Sequence, residues 1–425
     1  MLQQKSKLLW LFVVIANLMC FTNCKDDDDD DNVIKISPSA TAEAELQTAL
    51  INAVEGQVIE LQAGTFNMTN TISIADKKNL VLRGVGRDQS ILNFDGQTAG
   101  AEGIYAINMT GVLFADFTVK ETPGDAIKVK DSNGVTFCDV ATIWEAVADS
   151  ASGAYGLYPV TSKNVLIDGC LAKGASDAGI YVGQSDTVEV RNSVAEGNVA
   201  GIEIENTSNA DVYNNVAQHN TGGLLVFDLP NLPKKTGGNN RIFNNQVLNN
   251  DGANFAPPGN MVANVPIGTG IMLMAAEDVE VFGNTITNNN IMGIGIVSYE
   301  VFAYLNPAFQ YNDPLYDPHS WGVHIHNNTF SRSNTLPSGN NAIGTLLALQ
   351  FNNGDVPDIL YDGIPDNNDF QTNETKKICI HDNTGADFCN LDAENLFVDK
   401  SYDVTPYNCT RPAVNEHTAD APACE

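Results

Sequence analysis

From about residue 55 onward, apolar and polar side chains alternate in short runs separated by one or two small polar residues. The segments Val165–Ala172 (VLIDGCLA), Val188–Ala195 (VEVRNSVA) and Ala210–Ala217 (ADVYNNVA) share one layout, an alternating strand followed by a polar turn. Their equivalent positions, Cys170, Ser193 and Asn215, are spaced by 23 and 22 residues. The register extends back to Val85, Phe117 and Val140 and forward to Asn245, Asn284 and Asn328. The later steps of 30, 39 and 44 read as the same unit carrying insertions. A second strand follows in each unit, opening at Gly156, Gly179, Gly201, Gly223, Gly270 and Gly293, each with Ile or Leu next. Strands this short, with an apolar residue at every second position, cannot all face one core as hairpins. Wound as a parallel β-helix they can, each rung laying its strands on those of the next. The expected class is therefore all-β, a right-handed parallel β-helix solenoid.

A solenoid needs its end rungs covered, because they carry unpaired strand edges. Residues 42–53 read as an amphipathic helix with Leu46, Ala49, Leu50 and Ala53 on one face, placed to plug the N-terminal end. The segment after Asp355, rich in Asp, Asn and Pro and carrying four cysteines, is expected to close the other as an irregular cap. The expected organisation is a signal peptide (1–23), an anchor and acidic tether (24–40), the β-helix (41–354) and a C-terminal capping segment (355–425).

Composition fits this picture. The chain contains 49 Asn and 35 Gly in 425 residues. Asn245, Asn284 and Asn328 are expected to stack as a ladder of side-chain amides, which satisfies polar groups that burial would otherwise leave unpaired. The glycines fit turns of positive φ.

With 52 acidic and 22 basic residues the net charge is -30. That excludes a direct grip on nucleic acid and charge-driven binding to an anionic membrane. Lys5 and Lys7 precede an apolar run from Leu8 to Met19, too short to span a bilayer and typical of an export signal. Cys20 and Cys24 follow, then Lys25 and the acidic run Asp26–Asp31. This resembles Bacteroidetes-type lipoproteins, in which a lipidated Cys precedes an acidic export tag. The resemblance implies lipidation at Cys24 rather than Cys20, with the mature chain at the outer membrane or cell surface, held by that anchor alone. Export permits disulfides. The four C-terminal cysteines allow three pairings; sequential closure, Cys379 with Cys389 and Cys409 with Cys424, is the expectation.

Over roughly residues 55–350 the repeats resemble right-handed β-helix proteins of the pectin-lyase-like superfamily. Gly223–Pro233 (GLLVFDLPNLP), Asn254–Val262 (NFAPPGNMV), Val265–Gly270 (VPIGTG) and Ile378–Asn383 (ICIHDN) are similar to an uncharacterised family of bacterial exported β-helix lipoproteins. That likeness implies an envelope location and a second exported protein as partner, in some members resembling a c-type cytochrome. It carries no settled activity.

Candidate chemistry lies on the outward positions of the second repeated strand. One column reads Lys128, Tyr158, Tyr181, Glu203, Leu225, Met272 and Gly295; the next reads Lys130, Val160, Gly183, Glu205 and Phe227. Tyrosine faces stack on sugar rings and carboxylates accept hydroxyl hydrogen bonds, so Lys128, Tyr158, Tyr181, Glu203, Phe227 and Asp228 form a candidate carbohydrate-binding patch. Glu203 and Glu205, about 7 Å apart by strand rise, match the acid–base spacing of inverting glycosidases. Insertions after Asp228 and over 254–266 are placed to wall a groove over this patch, with Lys234 and Lys235 as local positive charge. Asp317-Pro318-His319 partly matches the Asp-Pro-His motif of alginate C5-epimerases, with Ser320 in place of the acid expected next, which makes His319 a further catalytic candidate. His324 and His326 alternate with Val323 and Ile325, so both face outward as a candidate metal pair. Three functions follow: a polysaccharide-binding protein that, if catalytic, acts as a lyase, hydrolase or epimerase; a non-catalytic envelope scaffold docking an exported partner; and a metal-binding β-helix. The acidic body repels polyuronates unless Ca²⁺ bridges the charges, which favours neutral glycans. A monomer is expected.

Overall fold

Each rung contributes one strand to each of three parallel sheets. In the rung Asp186–Arg191, Val194–Glu196, Ala200–Glu205, the three strands pair in register with Ser208–Tyr213, Val216–Gln218 and Gly222–Phe227 of the next. Repetition builds a first sheet of 12 strands, a second of 10 and a third of 11. This computed structural model describes residues 32–305, 307–366 and 370–424. Residues from Ile34 onward form one unit. The expected signal peptide, Cys20, Cys24 and the Asp26–Asp31 run lie outside the described residues. No helix among the described residues is long and apolar enough to cross a membrane.

The inward residues stack in columns. Ile180, Ile202, Leu224, Ile271, Ile294 and Ile359 occupy one of them, all buried. Full burial of each such side chain stabilises by about 1.5–3 kcal/mol.

The corner between first and second strand explains the Asn content. Asn192, Asn214, Asn244 and Asn327 turn the chain there with φ of 52°, 56°, 55° and 55°, a left-handed region that short polar side chains and Gly tolerate best. The next residue points inward. Asn215, Asn245, Asn284 and Asn328 donate side-chain N–H groups rung to rung at 3.0, 3.0, 2.9 and 3.0 Å, the last to Asn383. A second ladder, Asn198, Asn220, Asn250 and Asn289, runs five residues further on, with amide contacts of 3.0, 3.0 and 2.9 Å. Val85 departs from the expected register: it is 38% exposed, because a longer turn over 85–89 places Ser90 at the corner, where its hydroxyl donates to the Leu61 carbonyl.

The helix Ala42–Asn52 caps the N-terminal end with Ala42, Leu46, Ala49 and Leu50 buried. Lys77 donates to the carbonyls of Ile51 and Ala53 at its C-terminal end, satisfying acceptors that a helix end leaves open. At the other end the rungs continue past residue 354. Ile359–Tyr361, Cys379–His381 and Phe388–Asn390 all belong to the sheets, so the C-terminal segment is part solenoid.

The disulfides correct the sequential pairing. Cys379 pairs with Cys409 and Cys138 with Cys424, while Cys389 and Cys170 are buried and free. The reason is the path of the tail. After Cys409 it runs back along the outer face of the first sheet, across the register column Cys379, His324, Glu280, Arg241, Asp211, Glu189, Leu166 and Thr136. Seven rung steps of about 4.8 Å make about 34 Å, well within the reach of fifteen residues at about 3.3 Å each. Glu280, Asp211 and Glu189 accept the backbone N–H groups of Val414, His417 and Ala419 at 2.9, 3.1 and 2.9 Å. The strap is thus bound by a column of acids.

Candidate functional site

The expected columns on the third sheet are present. Lys128 stands beside Tyr158, and Tyr181 beside Glu203, Leu225, Met272 and Gly295 in order. Gly183, Glu205 and Phe227 form the adjacent column. The face they share is covered, in contrast to the open groove expected from the sequence. Tyr181 is 4% exposed, Glu203 2%, Glu205 8%, Phe227 0% and Asp228 4%. The insertions cause this. Their undersides are apolar, and Val262, Val265, Leu229, Phe255 and Met261 pack on Tyr181, Leu225, Phe227, Met272 and Met274 as a second core.

Phe227 and Asp228 are therefore covered by the insertions. Phe227 is core. Asp228 latches its loop: its carboxylate accepts the Gly237 N–H at 2.7 Å and its carbonyl accepts the Tyr316 hydroxyl at 2.7 Å. The Asn206 side chain pins the same loop through bonds to Leu229, Lys234 and Lys235. Lys234 donates to the Ser185 carbonyl and Lys235 pairs with Asp313 at 2.7 Å, so both cations are engaged.

What the fold gathers at Glu203 and Glu205 is a carboxyl and tyrosine cluster. Tyr181 donates to Glu205 Oε1 at 2.6 Å, and Tyr155 donates to Asp177 Oδ2 at 3.3 Å. The rings of Tyr155, Tyr158 and Tyr181 meet at centroid distances of 4.5, 4.6 and 4.9 Å. Lys128 sits 4.5 Å over the Tyr158 ring and 3.3 Å from Asp125. From the covering loop, Asn260 donates to Asp177 Oδ2 at 2.9 Å. Glu203 Oε2 is buried with no hydrogen-bond partner among the described residues. Burial pushes the carboxyls of Asp177, Glu203 and Glu205 up; the negative charge of Glu205 raises Asp177 further, and those of Asp177 and Glu205 raise Glu203 further. Burial also raises Asp125, against the pull of Lys128. Sequence reasoning missed Asp177, Tyr155, Asp125 and Asn260. The first three precede or open third-sheet strands, a position whose side-chain direction the period-two pattern does not specify.

His319 does not join this cluster; among the described residues no hydrogen bond, ion pair or ring contact links it to Glu203 or Glu205. Its Nδ1 lies 2.9 Å from Asp317 Oδ1. Ser320, buried, fills a rung corner, its hydroxyl donating to the Val297 carbonyl.

His324 and His326 share the outer face of the first sheet, with ring centroids 4.2 Å apart. His324 is buried rather than exposed, because the strap crosses it. Beside the pair stand Glu280, in register with His324, and His381, in register with His326. Both lie in neighbouring rungs, and the insertions between those rungs hide the relationship in the sequence.

The fold has solved counterparts. The A-module of mannuronan C-5 epimerase AlgE4 from Azotobacter vinelandii is 14% identical, over 82% of this chain and 91% of that one, with a TM-score of 0.50. The DFA-IIIase of Arthrobacter chlorophenolicus A6 is 11% identical, over 88% of this chain and 86% of that one, with a TM-score of 0.51. At such identities the likeness is one of fold. No curated protein matches the chain. The right-handed β-helix region matches residues 102–343, more than half of the sequence, and the chain belongs to that family.

Proposed function

We propose that this chain is an exported β-helix protein that binds polysaccharide on the outward face of its third sheet and processes it with the carboxyl cluster there. The carrying observation is the meeting of Asp177, Glu203 and Glu205 with three tyrosine rings on one face, with Glu203 Oε2 buried and unpartnered. Buried, mutually repelling carboxyls destabilise a fold, and a scaffold has no need of them. A carboxyl held protonated near neutral pH is the general acid that glycoside cleavage requires, and a neighbouring carboxyl suits its base partner. Tyr155 and Tyr158, half-buried at the edge of the cluster, offer ring faces to a sugar. The fold is compatible, since a mannuronan C-5 epimerase module is built on it. The net charge of -30 favours neutral glycans. Glycan approaches from the Tyr158 side, and reaching Glu203 requires the loop that carries Asn260, Val262 and Val265 to move off the face.

The test is incubation of the mature chain with a panel of neutral glucans, galactans and fructans, plus alginate, with products identified by mass spectrometry and NMR. Conversion of at least one glycan is expected, slowed at least about 100-fold by Glu203→Gln at unchanged melting temperature. No conversion and no binding of any glycan, with an exported haem protein co-purifying, overturns the reading in favour of a docking scaffold.

Export, lipidation at Cys24 and display at the outer membrane belong to the same proposal. Two disulfides suit an oxidising compartment. Mass spectrometry of the mature N-terminus tests it: a diacylglyceryl Cys24 is expected, and an unmodified chain starting elsewhere contradicts it.

A further inference from the structure

Two histidines on the first sheet are oriented by side-chain oxygens at Nδ1. Asn327 Oδ1 lies 2.7 Å from His326 Nδ1, and Asp382 Oδ2 lies 2.9 Å from His381 Nδ1. For His381 an oxygen acceptor at Nδ1 places the ring proton there and leaves Nε2 with a lone pair, whereas His326 faces oxygen acceptors at both nitrogens and holds a proton toward each. His381 Nε2 lies 2.9 Å from His324 Nε2. With a lone pair on His381, the proton between them belongs to His324 Nε2, and His324 Nδ1 is left bare. That atom is buried and has no hydrogen-bond partner among the described residues. It lies 3.8 Å from Glu280 Oε1, and His326 Nε2 lies 3.0 Å from the same oxygen. The other oxygen, Glu280 Oε2, is occupied by the Val414 N–H at 2.9 Å. Glu280 Oε1 therefore faces a single N–H, that of His326 Nε2, beside the bare Nδ1 of His324, and a cation that replaces this one proton meets all three donor atoms.

We propose that Glu280 Oε1, His324 Nδ1 and His326 Nε2 bind a divalent first-row transition ion on the outer face of the first sheet, with His381 as the positioning residue that sets the His324 tautomer. Two imidazoles and a carboxylate suit such ions and disfavour Ca²⁺ and Mg²⁺, which take oxygen ligands. The three donor atoms lie within 4.8 Å of one another. Ligand bonds of about 2.0–2.2 Å place donors about 3–4 Å apart, so a small ring rotation completes the site. Nearby cations are already paired, Arg411 with Asp278 at 2.7 Å and Arg241 with Asp211. Parallel stacking of Phe282 on His326, with centroids 5.3 Å apart and planes within 2°, fixes the half-buried ligand ring. The site is independent of the third-sheet cluster. It joins the rungs of Glu280 and His324 to the strap, because one carboxylate serves both metal and Val414.

The experiment uses the full, untagged, disulfide-intact chain, stripped with EDTA and titrated with Zn²⁺ by calorimetry. One ion per chain is expected, with a melting temperature that rises with Zn²⁺ concentration. His324→Ala and His326→Phe are each expected to weaken binding at least about 100-fold, and His381→Ala about 10–100-fold as an outer-shell change. His319→Ala, at the separate Asp317 and Asp366 group, is expected to leave it unchanged. Loading wild type with Co²⁺ gives a readout that needs no variant: visible d–d absorption saturating at one equivalent. Absence of saturable Zn²⁺ binding, or binding that survives His324→Ala but is lost in His319→Ala, overturns the proposal.

Discussion

Tyr181 donates its phenol hydrogen to Glu205 Oε1 at 2.6 Å, both residues lying under the loops that cover the third sheet. Burial raises the Glu205 carboxyl and this bond opposes the rise. The tyrosine therefore holds the carboxyl closer to the neutral range in which it can exchange a proton.

Tyr181→Phe keeps the ring contacts and removes that donor. A loss of about 1–3 kcal/mol in urea denaturation is expected, together with a shift of the basic limb of any pH–rate profile to higher pH. An unchanged profile contradicts the coupling.

Asn245 is a test of the ladder. Its side chain accepts from the Asn215 backbone and amide, and donates to Val212 and Asn284. Asn245→Ala leaves several buried groups without partners, and a destabilisation of about 3–5 kcal/mol is expected. Asn244→Gly, at the left-handed corner beside it, is expected to change stability by less than about 1 kcal/mol.

The strap is closed by Cys138 and Cys424, 286 residues apart in sequence. Replacing both with Ser is expected to free the tail to limited proteolysis beyond Cys409 and to lower stability by about 2–5 kcal/mol. Resistance of that tail to protease equal to wild type would show that the acid column holds it unaided.

Asp228 and Asp362 are buried and pushed up to about 7. Below about pH 3 both folded and unfolded chains keep these protons. As pH rises from about 3 to 7 the unfolded chain releases them first and the folded chain does not, so stability falls and the loss is complete above the folded value. Urea midpoints are expected to drop between pH 5 and pH 8. Asp362→Asn is expected to remove about 3 kcal/mol of that drop, at 1.36 kcal/mol per pH unit. A flat profile in wild type contradicts the burial.

The repeat was legible because period-two alternation and a spacing of about 22 residues follow directly from strand geometry and one turn of the solenoid. The ladder Asn215, Asn245, Asn284 and Asn328 could be read for the same reason, and the second ladder had the same signal at an offset of five residues. The cover over Tyr181 and Glu203 could not, because alternation tells which side a residue faces and not whether an insertion folds back over it. Glu280 and His381 escaped similarly, as their nearness to His324 and His326 is set by rung stacking across insertions. The pairing of Cys138 with Cys424 depends on the route of an irregular tail that no local pattern encodes.

The most direct test of the central claim is calorimetric titration of wild type and Tyr158→Ala with neutral oligosaccharides. Saturable binding by wild type, weakened at least about 10-fold in Tyr158→Ala and unchanged in His324→Ala, is the predicted result. Equal affinity of wild type and Tyr158→Ala, or no binding by either, would contradict a carbohydrate site on the third sheet.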